Sequence, residues 1–147
     1  MTLYVIRHAK AGSAPDEERP LNEAGQRQAE RIAELLGDAG ITRVLTSRYT
    51  RCVQTVAPLV ERLGIEAEPH VALAEESDVE SAWALLESLT GTEAVLCSHG
   101  NIIHPLLDRV LRRGAEVEGE WACRKGSIWC LEADGDRPFG RAVLRQA

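Results

Sequence analysis

Residues 4–12 read YVIRHAKAG, and the way this run breaks decides how the rest of the chain is read. Tyr4, Val5 and Ile6 suit a buried strand, yet the strand ends abruptly in Arg7 and His8. A core strand seldom finishes on two adjacent cationic-capable side chains unless something at the mouth of the sheet requires them.

Working outward, strand and helix patterns alternate. Residues 2–7 form a first strand, and the polar stretch at 8–20 an exposed loop. Asn22 caps a helix through residues 23–40, with Ala29, Ile32, Ala33, Leu35 and Leu36 as its apolar stripe and the Gly37 to Gly40 region as its stop. Residues 42–47 make a second strand. Ser47 then caps a helix through 48–64, where Pro58 introduces a kink or opens a second half. An extended stretch (65–73) leads to the acidic AEESD, a helix (79–89), a compact buried strand (93–98) and a helix (100–114). Two final strands, 126–134 and 140–147, are joined by the turn GDRP, pair antiparallel and lie at an edge. This order predicts one α/β domain over residues 1–147, three-layered, with a mostly parallel central sheet and helices on both faces.

Composition narrows the function. A chain of 147 residues that is 44% hydrophobic builds a real core, and a net charge of −6 argues against a nucleic-acid polymer or an anionic membrane as partner. Any arginine that matters must therefore act locally. No apolar run is long enough for a bilayer and the N-terminus does not read as a signal peptide, so the expected location is cytoplasmic. Cys52, Cys97, Cys123 and Cys130 include no CxxC pair and read as buried free thiols. Trp83, Trp121 and Trp129 read as packing residues, with Trp121 in a loop that could line a pocket.

In a sheet of this type ligands gather at the carboxyl ends of the strands. The first strand delivers Arg7 and His8, the second Arg48 and Arg51 at a helix start, and the buried strand SHGN with His99 at a helix N-terminus. Arginines and helix N-termini describe an anion site, and phosphate is the obvious anion. One neutral imidazole can attack phosphorus while the other, with the arginines, holds the transferring group. Glu75 and Glu76 offer an acid for the leaving oxygen. Spacing of five between His99 and His104, without a third ligand cluster, argues against a metal, and no cofactor is implied.

IRHA, TSRYTRCVQT and LCSHGN, in that order, resemble the signatures of the histidine phosphatase superfamily, the phosphoglycerate mutase-like clan. The resemblance implies a nucleophilic His8 in a phosphate pocket of Arg7, Arg51 and His99, and metal-independent phosphoryl transfer. Its Leu-x-Glu pattern falls on Glu75, with Glu76 in reserve. Ala9 stands where the family has glycine. RPLNEAG and the few insertions resemble the compact SixA-type phosphohistidine phosphatases, while RCVQT, LAEES and RKGSIWCLE are similar to the histidine-phosphatase domain that follows the Nudix domain in mycobacterial MutT-type enzymes. The implied partner is a phosphohistidine protein or a phosphorylated small molecule, a nucleotide among them; a non-catalytic phosphate-binding module is the alternative. Arg19, Lys10, Arg48, Glu76 and Gly100 are candidate substrate contacts. Within RKGS, Arg124 reads either as a phosphate contact or as solvent-facing, and Lys125 is assigned to solvent or the sheet edge.

Overall fold

The computed structural model describes residues 1–120 and 122–147. Their strands are β1 (Thr2–Arg7), β2 (Arg43–Thr46), β3 (Ala67–Pro69), β4 (Ala94–Ser98), β5 (Glu116–Glu118), β6 (Ser127–Asp134) and β7 (Arg137–Gln146). The helices are α1 (Glu23–Leu36), α2 (Thr50–Leu63), α3 (Val79–Ser88) and α4 (Gly100–Arg112). One sheet runs in the order β3-β2-β4-β1-β6-β7-β5. Its first four strands are parallel, β6 runs antiparallel to both β1 and β7, and β5 pairs parallel with β7.

Successive side chains on a strand point to opposite faces, and β1 shows how that makes three layers. Leu3 and Val5 pack with Leu86 of α3 and with Ile103 and Leu107 of α4. Tyr4 and Ile6 pack on the other face with Ile32 and Leu36 of α1 and with Cys52 and Val56 of α2. Strands buried on both faces need continuous apolar runs, which β1 and β4 have.

Asn22 caps α1 by accepting from the Gly25 N–H at 2.8 Å, and Gly64 ends α2 in the left-handed conformation at φ +69°. Three expectations need correcting. The first concerns Ser47, which does not cap α2: the helix starts at Thr50 after Tyr49, and the Ser47 hydroxyl lies 2.8 Å from His99 Nε2 instead. Next, of the two readings at Pro58, α2 does not open a second half there but runs through as a single element; the carbonyl that proline leaves unbonded belongs to exposed Gln54. Finally, β6 is no edge strand. Ile128, Trp129, Cys130 and Leu131 are all buried, which requires cover on both faces, so β6 sits between β1 and β7. The edge on this side of the sheet is β5, which is short, charged and exposed and gives almost no sequence signal.

Gly25 also governs the loop that follows His8. A Cβ at this position would lie 1.9 Å from the Lys10 carbonyl oxygen and 2.8 Å from its carbon, both backbone atoms. Gly25→Ala is expected to push that loop away, lose the 3.0 Å Asn22 N–H to Lys10 carbonyl bond and destabilise the protein by about 2–3 kcal/mol, read from urea midpoints.

Candidate active site

β1 and β4 are adjacent and in register, Arg7 opposite Ser98, but their crossovers leave in opposite directions, through α1 toward β2 and through α4 toward the β5–β7 side. Their carboxyl ends form the topological switch point of the sheet. A cavity of about 600 Å³ opens there, lined by Arg7, His8, Arg19, Arg51, Glu75 and His99, with Gly100, Asn101, His104, Cys123 and Lys125 completing the wall.

His8 is 4% exposed, and its backbone N–H donates to the Ser98 carbonyl at 3.0 Å. Its ring Nδ1 lies 2.8 Å from the Ala9 carbonyl. A carbonyl can only accept, so the proton sits on Nδ1 and the Nε2 lone pair is left for chemistry. Burial lowers the His8 pKa to about 4, helped by the nearby charges of His99, Arg51 and Arg7 and opposed by the Ala9 carbonyl. The imidazole is therefore neutral at physiological pH. Thr55 couples this segment to α2: its hydroxyl accepts from the Ala9 N–H at 2.9 Å and donates to the Arg51 carbonyl at 2.6 Å.

Around His8 stand the cations. Arg51 is fully buried; its guanidinium donates to the Asp16 carbonyl at 2.6 Å and to the Glu75 carboxylate, and lies 3.3 Å from His99 Nδ1. Arg7 donates to the Cys123 carbonyl at 2.6 Å. The Nε atoms of Arg7, Arg19 and Arg51 are buried without a hydrogen-bond partner among the described residues. Three such donors around one cavity are costly unless an anion satisfies them. The first N–H groups of α4, orphaned by helix geometry, belong to Gly100 and Asn101 on the same wall. The Glu75 carboxylate already lies against Arg51 and 3.2 Å from His99 Nδ1, so the clamp accepts an oxyanion from within the chain.

Gly100 has a reason to be glycine. A Cβ there would come within 2.8 Å of Arg7 Cζ and 3.0 Å of its Nε. Because the obstacle is the end of a side chain, Gly100→Ala is expected to keep its fold, with a melting temperature within a few degrees of the parent. Arg7 would be displaced from the Cys123 carbonyl, and kcat/KM should fall about 30-fold. Unchanged kinetics would mean that Arg7 plays no part in turnover.

The expected substrate contacts divide. Arg19 and Gly100 line the cavity; Lys10, Arg48 and Glu76 do not. Arg48 is engaged by Glu17 at 2.9 Å and by Glu76, and Glu76 also accepts from the Tyr49 hydroxyl at 2.8 Å. One cation is thus shared by two carboxylates on the exposed flank. Lys125, assigned to solvent or the edge, is exposed and also lines the cavity. Sequence reasoning missed Asn101, whose amide donates to the Glu75 carbonyl at 2.8 Å, along with His104 and Cys123. It also missed Tyr49, whose ring meets His99 edge-on at 4.8 Å and lies under Arg51 at 5.0 Å. For Asn101 the HGN run was a usable signal; for Tyr49 there was none. Cys52, Cys97 and Cys130 are buried thiols, Cys123 is half-buried, and Trp83 and Trp129 are packed in the core. Trp121 lies outside the described residues. Among those residues no group of three His, Cys, Asp or Glu converges to hold a metal ion, and no helix is long and apolar enough to cross a membrane.

A buried neutral histidine beside arginines and a second histidine, at the switch point of a three-layer sheet, is the arrangement of a histidine phosphatase. The signature of the histidine phosphatase superfamily (branch 1) matches residues 3–80, and the chain belongs to that family and is a hydrolase of it. An 8-oxo-(d)GTP phosphatase of Mycolicibacterium smegmatis is 31% identical over 146 residues, covering 92% of this chain and 45% of the relative. The chain thus spans less than half of that relative's length. The structure of the protein histidine phosphatase SixA complexed with tungstate is similar at a TM-score of 0.76 and 26% identity, over 99% of this chain and 94% of that one. A putative SixA phosphohistidine phosphatase from Agrobacterium tumefaciens is similar at 0.72 and 25%, over 88% and 90%.

Proposed function

We propose that this protein removes phosphoryl groups through a covalent phosphohistidine on His8, with Arg7, Arg51 and His99 holding the transferring group and Glu75 handling the proton. The observation that carries the reading is the set of unpartnered guanidinium Nε donors around a neutral, buried His8. Nε2 attacks phosphorus, the bond from phosphorus to the leaving group breaks, and the leaving atom takes a proton from Glu75. Water then attacks the phosphohistidine, giving its proton to Glu75 and restoring His8. A substrate phosphate, bound as its monoanion, displaces the Glu75 carboxylate from Arg51 and His99 and gives it the proton that goes to the leaving atom. The proton Glu75 later takes from water leaves with the phosphate product. Protein phosphohistidine is the first substrate class, supported by likeness to SixA structures over nearly the full length of both chains. Nucleotides are the second, supported by the 31% identical relative.

The test is a quenched reaction with a radiolabelled phosphodonor. The expected adduct is acid-labile, base-stable, close to stoichiometric and on His8, with turnover unchanged by a strong chelator. An adduct elsewhere, or loss of activity on chelation, would overturn this mechanism.

A further inference from the structure

Several surface cations are matched by carboxylates, Arg43 by Glu68, Arg62 by Asp38 and Arg109 by Glu80, while others, Arg112 and Arg145 among them, have no carboxylate partner among the described residues. Lys10, Arg124 and Lys125 belong to the second group. None has an ion-pair partner among the described residues, and together they line a recess of about 460 Å³ with Gln28, Gln146 and Ala147. Lys10 and Lys125 are also the only lysines in a chain of net charge −6. Gathering like charges without counter-charges costs energy, so their placement calls for an anion.

The recess is held rigid. Gln28 joins its two basic segments, accepting from the Lys10 N–H at 2.9 Å and donating to the Lys125 carbonyl at 3.1 Å, while Gln146 donates to that same carbonyl at 3.0 Å. The turn carrying Arg124 and Lys125 closes through the Ser127 N–H to the Arg124 carbonyl at 2.9 Å. Gly126, at φ +80°, lets its N–H reach the carbonyls of Arg7 and His8 at 3.1 and 3.2 Å. The basic turn is therefore bonded to the backbone of the proposed nucleophile, and Lys125 lines both the recess and the main cavity.

We infer that this recess is a second phosphate subsite, so that favoured substrates carry two phosphate groups, as a diphosphate or a bisphosphate. One phosphate meets His8, Arg7 and Arg51; the other, on the leaving-group side, meets Lys10 and Arg124 with Lys125 between them. The inference rests on reading the main cavity as the site of phosphoryl transfer. A concave recess that gathers three cations suits a compact dianion better than the broad surface of an acidic protein.

His8→Ala protein permits a binding test without turnover. Inorganic phosphate, pyrophosphate and tripolyphosphate are titrated calorimetrically at fixed salt, with and without Lys10→Gln and Arg124→Gln; Lys125 is left intact because it lines both spaces. At least one polyphosphate is expected to bind about tenfold tighter than phosphate, and the double substitution should erase that advantage. In the active protein the same pair should lower the kcat/KM ratio of diphosphate to monophosphate esters about tenfold. Equal affinities for all three anions, or an equal loss for all three, would overturn the subsite. A defect confined to phosphohistidine proteins would do so too, by making the recess a protein-docking surface. Failure of the phosphoryl-transfer reading is seen separately, as absence of the His8 adduct from a monophosphate donor.

Discussion

Replacing His8 with alanine is expected to lower kcat by at least about 10⁴-fold, because the variant loses the atom that receives the phosphoryl group. A histidine that only positioned substrate would cost far less, so a loss under about 30-fold would remove the covalent route. The wild-type pH profile supplies an independent readout. With the His8 pKa lowered to about 4, mainly by burial, the acid-side loss of adduct formation should set in only below about pH 5 and reach half near pH 4. An ordinary imidazole would lose half its nucleophile near pH 6.5.

The same group links pH to folding. In the unfolded chain His8 takes up its proton near pH 6.5, and in the folded protein only near pH 4. Between those values the unfolded state binds more protons, so stability falls as pH drops through this window, by roughly 3 kcal/mol in all. Denaturant midpoints of His8→Gln should show a shallower loss from pH 7 to pH 4.5 than the parent. Parallel slopes would show that His8 is not buried as a neutral ring.

Arg51 carries the second large effect. Its guanidinium contacts the Asp16 carbonyl, the Glu75 carboxylate and the edge of His99 at once, from a fully buried position. A planar fork with five donors can do this; an ammonium on a flexible stem cannot reproduce the directions. Arg51→Lys keeps the charge and is still expected to lower kcat/KM by about 10³-fold, with much of the loss in kcat. Arg51→Ala should lose more and unfold about 1–3 kcal/mol more easily, because the Asp16 carbonyl and Glu75 lose their partner. Near-normal kinetics for Arg51→Lys would show that charge alone, without geometry, supports the reaction.

How much of this was legible beforehand depends on whether the relevant contact is local. The α/β alternation could be read because burial on two faces leaves apolar runs at β1 and β4, and because Asn22 and Gly64 mark helix ends through bonds within a few residues. Convergence of Arg7, His8, Arg51 and His99 on one cavity followed from placing strand ends together. Ser47 was misjudged because its hydroxyl has two possible partners, a nearby helix N–H and a ring 52 residues away, and chain spacing reveals only the first. Lys125 is exposed, as its charge suggests; that it also borders the cavity was not legible, because β6 lies inside the sheet and carries the turn before it to the strand ends. Arg48 and Glu76 looked like site residues from position alone; their mutual ion pair is visible only in three dimensions.

The antiparallel seat of β6 beside β1 has a consequence for synthesis. Residues 2–6 pair with residues 128–132, so the first strand made waits for nearly the last before both its edges are bonded. On a ribosome the carboxyl end of β1 can gain β4 on one edge once Ser98 has emerged, but its other edge waits for the later segment that brings the Gly126 N–H to the Arg7 and His8 carbonyls. Pairing over such a separation also slows folding. The nascent chain thus carries its nucleophile long before it has a formed site, and competence arrives in one late step.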